Sequence, residues 1–121
     1  MKIAFPVISN NKEKSRLADH FGRAPMFTVF DDSKKQFEVI DNSGEHFGGR
    51  LPAPEVLKNH NINILICKGL GRKAIALFDN LGICVHLTQS SIVEDALAAY
   101  QKGELQQATQ TDGCAGRGHR H

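Results

Sequence analysis

The strongest constraint on the fold is the stretch from Ile62 to Tyr100, where short apolar runs alternate with segments of helical period. Ile62 to Cys67 is almost wholly apolar, as a strand covered on both faces must be. Gly69 to Gly71 makes a tight connection, after which Ala74, Ile75, Leu77, Phe78 and Leu81 recur at helical spacing. Gly82 can end that helix as its C-terminal cap. Ile83 to Leu87 repeats the strand pattern. Ser91 and Glu94 form a capping-box pattern ahead of Ile92, Val93, Ala96, Leu97 and Tyr100, a single apolar stripe stopped by Gly103. Strands alternating with helices in this way pair in parallel, with right-handed crossovers.

The first half reads differently. Residues 2 to 8 form a strand pattern, and Pro6, which has no N–H, predicts that the strand ends or lies unpaired there. Asn10 to Phe21 is polar and reads as loop. Pro25 to Phe30 and Gln36 to Ile40 are β-prone runs around the turn signal Asp31-Asp32-Ser33-Lys34, which makes a hairpin. Asn42 to Gly49 reads as loop. A helix is expected from Pro52 to about His60, with Pro52 and Pro54 in its first turn. The expectation is therefore an α/β domain over residues 1–103, in the order β-β-β-α-β-α-β-α, with a mixed five-stranded sheet flanked by helices. Residues 104–121, poor in apolar side chains, are expected to form a flexible tail carrying cysteine and histidine.

A chain of 121 residues has room for one core. Its formal net charge of +2 is too small to argue for a nucleic-acid partner. No apolar run reaches the roughly 18 residues of a membrane span. The cysteines, Cys67, Cys84 and Cys114, are odd in number and widely spaced, which is no disulfide framework and fits free thiols in a reducing cytosol. The expected localisation is cytoplasmic, with neither membrane nor nucleic acid as partner.

Four segments bear on function. Gly69-Leu70-Gly71-Arg72-Lys73-Ala74 matches the loose dinucleotide pattern G-x-G-x-x-A, but Thr88-Gln89-Ser90 stands where the ribose-binding acid belongs. What remains is either an anion site, helped by Lys68, Arg72 and Lys73, or a turn that needs glycine. Asp19-His20-Phe21-Gly22-Arg23 offers a metal-ligating imidazole and a guanidinium; the alternative is a loop turning on Gly22 with Phe21 in the core and Asp19 paired to Arg23. Cys67 closes a strand at an edge where ligands bind, and reads equally as packing or ligand. Cys114, His119 and His121 in the tail could capture a transition metal, though they complete no zinc finger. No nucleophile elbow and no acid–base carboxylate pair is present, so no catalytic residue is assigned.

Taken together, the N-terminal strand, Asp19-His20-Phe21-Gly22-Arg23-Ala24-Pro25, Gly69-Leu70-Gly71 before an alanine-containing helix, and Leu81-Gly82-Ile83 entering a strand resemble the dinitrogenase iron–molybdenum cofactor biosynthesis family, which includes NifX-type proteins and the C-terminal domain of NifB-type proteins. The likeness covers about residues 1–103. It implies a ribonuclease H-like fold and non-enzymatic binding or carriage of an iron–sulfur or iron–molybdenum cluster, exchanged with metallocluster donor and recipient proteins. It implies that His20 contacts the cluster, with Arg23 nearby, and that Gly69 and Gly71 present backbone donors. A basic rim including Arg72 suits an anionic cargo; the metal-ligand candidates are His20, Cys67, Cys114, His119 and His121. The competing reading is a regulatory or interaction module that binds an anionic metabolite or a protein through the Gly69–Gly71 turn.

Overall fold

The computed structural model describes residues 1–41, 45–46, 49–50 and 53–109. Its centre is β1 (Lys2–Val7), which pairs on one side with β2 (Met26–Asp31) and on the other with the later strands. β2 turns back into β3 (Gln36–Asp41) as expected. The Asp31 carboxylate caps that turn by accepting from the Ser33 N–H at 3.0 Å. Two short pieces follow, β4 (Glu45–His46) and β5 (Gly49–Arg50), paired with each other. The rest is α1 (Ala53–Asn59), β6 (Ile64–Cys67), α2 (Arg72–Leu81), β7 (Cys84–Leu87), α3 (Val93–Gln101) and β8 (Gln106–Gln107).

The main sheet has six strands in the order β3-β2-β1-β6-β7-β8. β6 runs parallel to β1 and β7 parallel to β6, while β2 and β8 are antiparallel to their neighbours. The mixed sheet was expected; the sixth strand was not. β8 is built from residues assigned to the flexible tail. Two glutamines carry no apolar signal, and the strand is held by its surroundings. Leu105 and Ala108 pack on opposite faces of the sheet. The buried Thr109 hydroxyl accepts from the Val85 N–H at 2.7 Å.

Alternation along the strands divides the core in two. Ala4, Phe27, Val29, Leu65, Cys67 and Val85 face α1 and α2, meeting Val56, Leu57 and Phe78. Ile3, Phe5, Val7, Phe30, Ile64, Ile66 and Cys84 face the other way, toward Val93, Ala96 and Leu97 of α3. Both faces of β6 are covered, which is why its sequence reads as a continuous apolar run.

Two local expectations fail for identifiable reasons. Pro6 neither ends β1 nor lies unpaired: it is in register with Phe27. Its carbonyl accepts the Ala18 N–H at 2.9 Å, so its polar edge faces away from β2 and the missing N–H takes nothing from that ladder. The Ser91–Glu94 capping box does not form; Ile92 is the N-cap of α3 and makes no side-chain cap bond. Tertiary contacts replace it. The Val93 N–H donates to the Ser15 carbonyl at 3.0 Å, and Glu94 pairs instead with Lys14 Nζ at 2.6 Å. Gly82, by contrast, caps α2 in the left-handed conformation as expected, at φ 77°.

Candidate functional site

The site follows from the order of connections. From β1 the chain moves outward to β2; from β6 it moves the opposite way, through α2 to β7. Open α/β sheets bind ligands at such a divergence, outside the carboxyl ends of the strands. The segments that leave β1 and β6 there are residues 8–25 and 68–71. They contain the two motifs singled out in the sequence.

One contact anchors the first segment to the core and another ties it to the second. Phe21 is buried and packs edge-on against Phe78 of α2, with ring centroids 5.4 Å apart, and against Phe27 at 5.7 Å. This fixes the loop against β2 and α2. Lys68 Nζ then donates to the Asp19 carboxylate at 3.0 Å. Asp19 thus pairs with Lys68, the residue preceding the turn. The hydrogen bond and charge of Lys68 hold the Asp19 carboxyl below its usual range, and the nearby charges of His20 and Arg16 add to this. Asp19 is therefore bonded to Lys68 and lies within electrostatic reach of Arg16 and His20.

His20 precedes a single 3-10 turn, Phe21–Arg23, and its side chain is exposed. An exposed imidazole beside an anchored phenylalanine is placed without being sequestered. Arg23 lies in the same turn. Arg16 is the functional candidate that sequence reasoning missed. It stands in a segment that reads as featureless polar loop, yet its backbone is pinned by a bridge to Ile92 and a bond from its N–H to the Ser9 hydroxyl at 3.0 Å. A clue was the closely spaced series Lys12, Lys14 and Arg16.

The glycine turn has an unexpected property. At Gly69 and Gly71 no atom lies within 4 Å of where a Cβ would stand, and neither residue has the positive φ that favours glycine. The protein's own geometry does not require glycine there. The absence of side chains leaves open space against the backbone at the start of α2. Arg72 and Lys73 occupy the first turn of that helix, both exposed, with no acidic residue among them. Cations at a helix N-terminus oppose the helix dipole. They gather positive potential where the N–H groups already point.

Cys67 lies beneath the turn and is 1% exposed. Burial pushes its thiol up to about 12, against a backbone hydrogen bond from Gly69. It is a packed neutral thiol at physiological pH. Among the described residues, no group of three or more His, Cys, Asp or Glu side chains gathers in a metal-ligating arrangement. Cys84, buried in β7, is disulfide-bonded, which corrects the expectation of free thiols throughout. Wide spacing in sequence does not prevent pairing; the geometry of the fold decides it. Cys114, His119 and His121 lie outside the described residues.

A small α/β domain whose 19–23 loop and glycine turn both leave the carboxyl edge of its parallel strands has the architecture at which open α/β sheets bind ligands. The chain belongs to the dinitrogenase iron–molybdenum cofactor family, whose model matches residues 1–103. It is 30% identical to an uncharacterised protein of Methanocaldococcus jannaschii over 112 residues, 88% of this chain and 90% of that one. Among solved structures it is similar to a Thermotoga protein named for NifB, with TM-score 0.75, 25% identity, and 90% and 94% of the two chains covered. The apo form of the orange protein from Desulfovibrio gigas shares the fold at TM-score 0.77 and 24% identity, over 88% and 92% of the chains. No helix among the described residues is long and apolar enough to cross a membrane.

Proposed function

We propose that this protein is a non-enzymatic accessory of metallocluster biosynthesis, and that it binds an iron–sulfur or iron–molybdenum–sulfur cluster, or a precursor, as transient cargo in the crevice between the 19–23 loop and the Gly69–Gly71 turn. The observation that carries this reading is the open backbone at Gly69 and Gly71, glycine without any internal steric need for it. Such clusters are anionic and present sulfides. The open backbone at the start of α2 beside the cations Arg16, Lys68 and Arg72 suits them, and Arg23, in the same turn that follows His20, is a further candidate. His20 supplies a borderline ligand for iron. One imidazole plus hydrogen bonds holds cargo loosely enough to be passed on, which a full ligand cage would not. Cys67 packs below the site, while His119 and His121, joined by Cys114 where its thiol is reduced, serve as accessory donors on the tail. Donor and recipient proteins would exchange the cargo in the cytoplasm. The β3-β2-β1-β6-β7 order with β2 antiparallel agrees with a ribonuclease H-like fold.

Anaerobic incubation with iron and sulfide, with and without tetrathiomolybdate, should produce a coloured complex whose metal content is measured after gel filtration. His20→Ala should lose most of the bound metal, and Arg72→Ala should weaken loading. Full loading of His20→Ala removes His20 from the site. Thermal stabilisation by phosphate or nucleotide, without any cluster absorbance, would favour the regulatory reading.

A further inference from the structure

Lys68 also lines a cavity of about 630 Å³ between the connector after β7, the end of α3 and the start of β8. This is within the size range of small-molecule sites, roughly 300–1,000 Å³. Among the described residues its polar lining is Lys68, Thr88, Gln89, Ser90, Glu104 and Gln106. One side chain is cationic and one anionic; the remainder are amides and hydroxyls. The charge balance differs from that of the crevice at the glycine turn. A polyanion entering the cavity meets Glu104, and a simple cation meets Lys68. A molecule carrying both charges satisfies both.

We propose that this cavity binds a small zwitterion with the chemistry of a free α-amino acid, its carboxylate on Lys68 and its ammonium group on Glu104. Gln89, Ser90 and Gln106 supply further hydrogen bonds. The site does not depend on the cluster reading. It is linked to the crevice, because Lys68 is the residue that holds Asp19. A carboxylate that takes up Lys68 draws it from Asp19 and loosens the tie between the loop and the turn.

The test is an NMR titration of the full chain with each proteinogenic amino acid. At least one should bind with a Kd of about 1 mM or tighter, shifting amides at 88–90 and 104–106. Its decarboxylated amine and its deaminated acid, each with one charge, should bind at least about ten-fold more weakly. Lys68→Met and Glu104→Gln should each weaken binding by a similar factor; both positions are solvent-accessible, and circular dichroism checks folding. His20→Ala should leave amino-acid binding intact, which separates this site from the cluster crevice. The bound form should show the Asp19 carboxyl titrating closer to its ordinary range. The proposal is overturned if no amino acid shifts these amides at about 20 mM, or if the deaminated acid binds as tightly as the amino acid. An Asp19 titration unchanged by a bound amino acid overturns the placement of the carboxylate on Lys68.

Discussion

Phe21 and His20 are neighbours with opposite fates, one buried and one exposed. The pairing explains why the short motif around them is informative: the phenylalanine anchors what the histidine presents. Phe21→Ala removes a ring that meets both Phe27 and Phe78 and should cost about 3–5 kcal/mol, measured by urea unfolding. A loss under about 1 kcal/mol would mean the loop is not held by that ring. Cys67 gives a second test. Its thiol is raised from 9.0 to about 12 in the folded protein, so the folded state keeps the proton longer than the unfolded chain. This contribution is fully present below about pH 9 and is lost as pH rises toward about 12. At about pH 10.5 the wild type should have lost ~2 kcal/mol relative to pH 8, a loss that Cys67→Ala escapes. Parallel unfolding curves for both proteins at the two pH values check it; equal alkaline losses would show that the buried thiol is not the cause.

Between elements, the glycines separate into two kinds that the sequence does not distinguish. Gly82 sits at φ 77°, where a side chain is strained, so Gly82→Ala should cost about 1 kcal/mol of stability. Gly69 has open space and no positive φ, so Gly69→Ala should be neutral or stabilising by about 0.5 kcal/mol. Thermal melts of the two variants should move in opposite directions or differ clearly. If Gly69→Ala also lowers cluster loading, the glycine is there for the ligand. If it destabilises as Gly82→Ala does, the glycine is there for the turn. The same limit appears at the start of α3. Ser91 and Glu94 have the spacing of a capping box, yet the helix begins against Ser15 and Lys14, which are remote in sequence. Periodicity within one segment identifies β6, α2 and the β2–β3 hairpin, because their signals are local. It is silent on Arg16 and on the Asp19–Lys68 pair, which arise only when the segments leaving β1 and β6 meet.

For the whole molecule, the sixth strand, β8, is the sharpest departure from what the sequence implies. Residues after Gly103 look like tail because Gln106 and Gln107 are polar, but an edge strand needs few apolar side chains when its neighbours are already covered. Its stability comes from the ladder to β7, from Leu105 and Ala108 on opposite faces, and from the buried Thr109 hydroxyl bonded to the Val85 N–H. A chain ending at Gly103 loses all of these and exposes the edge of β7. It should be less stable by about 2–4 kcal/mol and prone to association, since an unpaired edge invites another strand. In reducing buffer, a chain ending at Thr109 should keep nearly full stability. Urea unfolding and light scattering on the two truncations distinguish the cases. If the two chains behave alike, β8 contributes nothing and the domain ends at Gly103. The same pair of truncations sharpens the cargo experiment: both lack Cys114, His119 and His121, so a loss of metal common to both is assigned to those donors, whereas a loss confined to the shorter chain reports damage to the sheet.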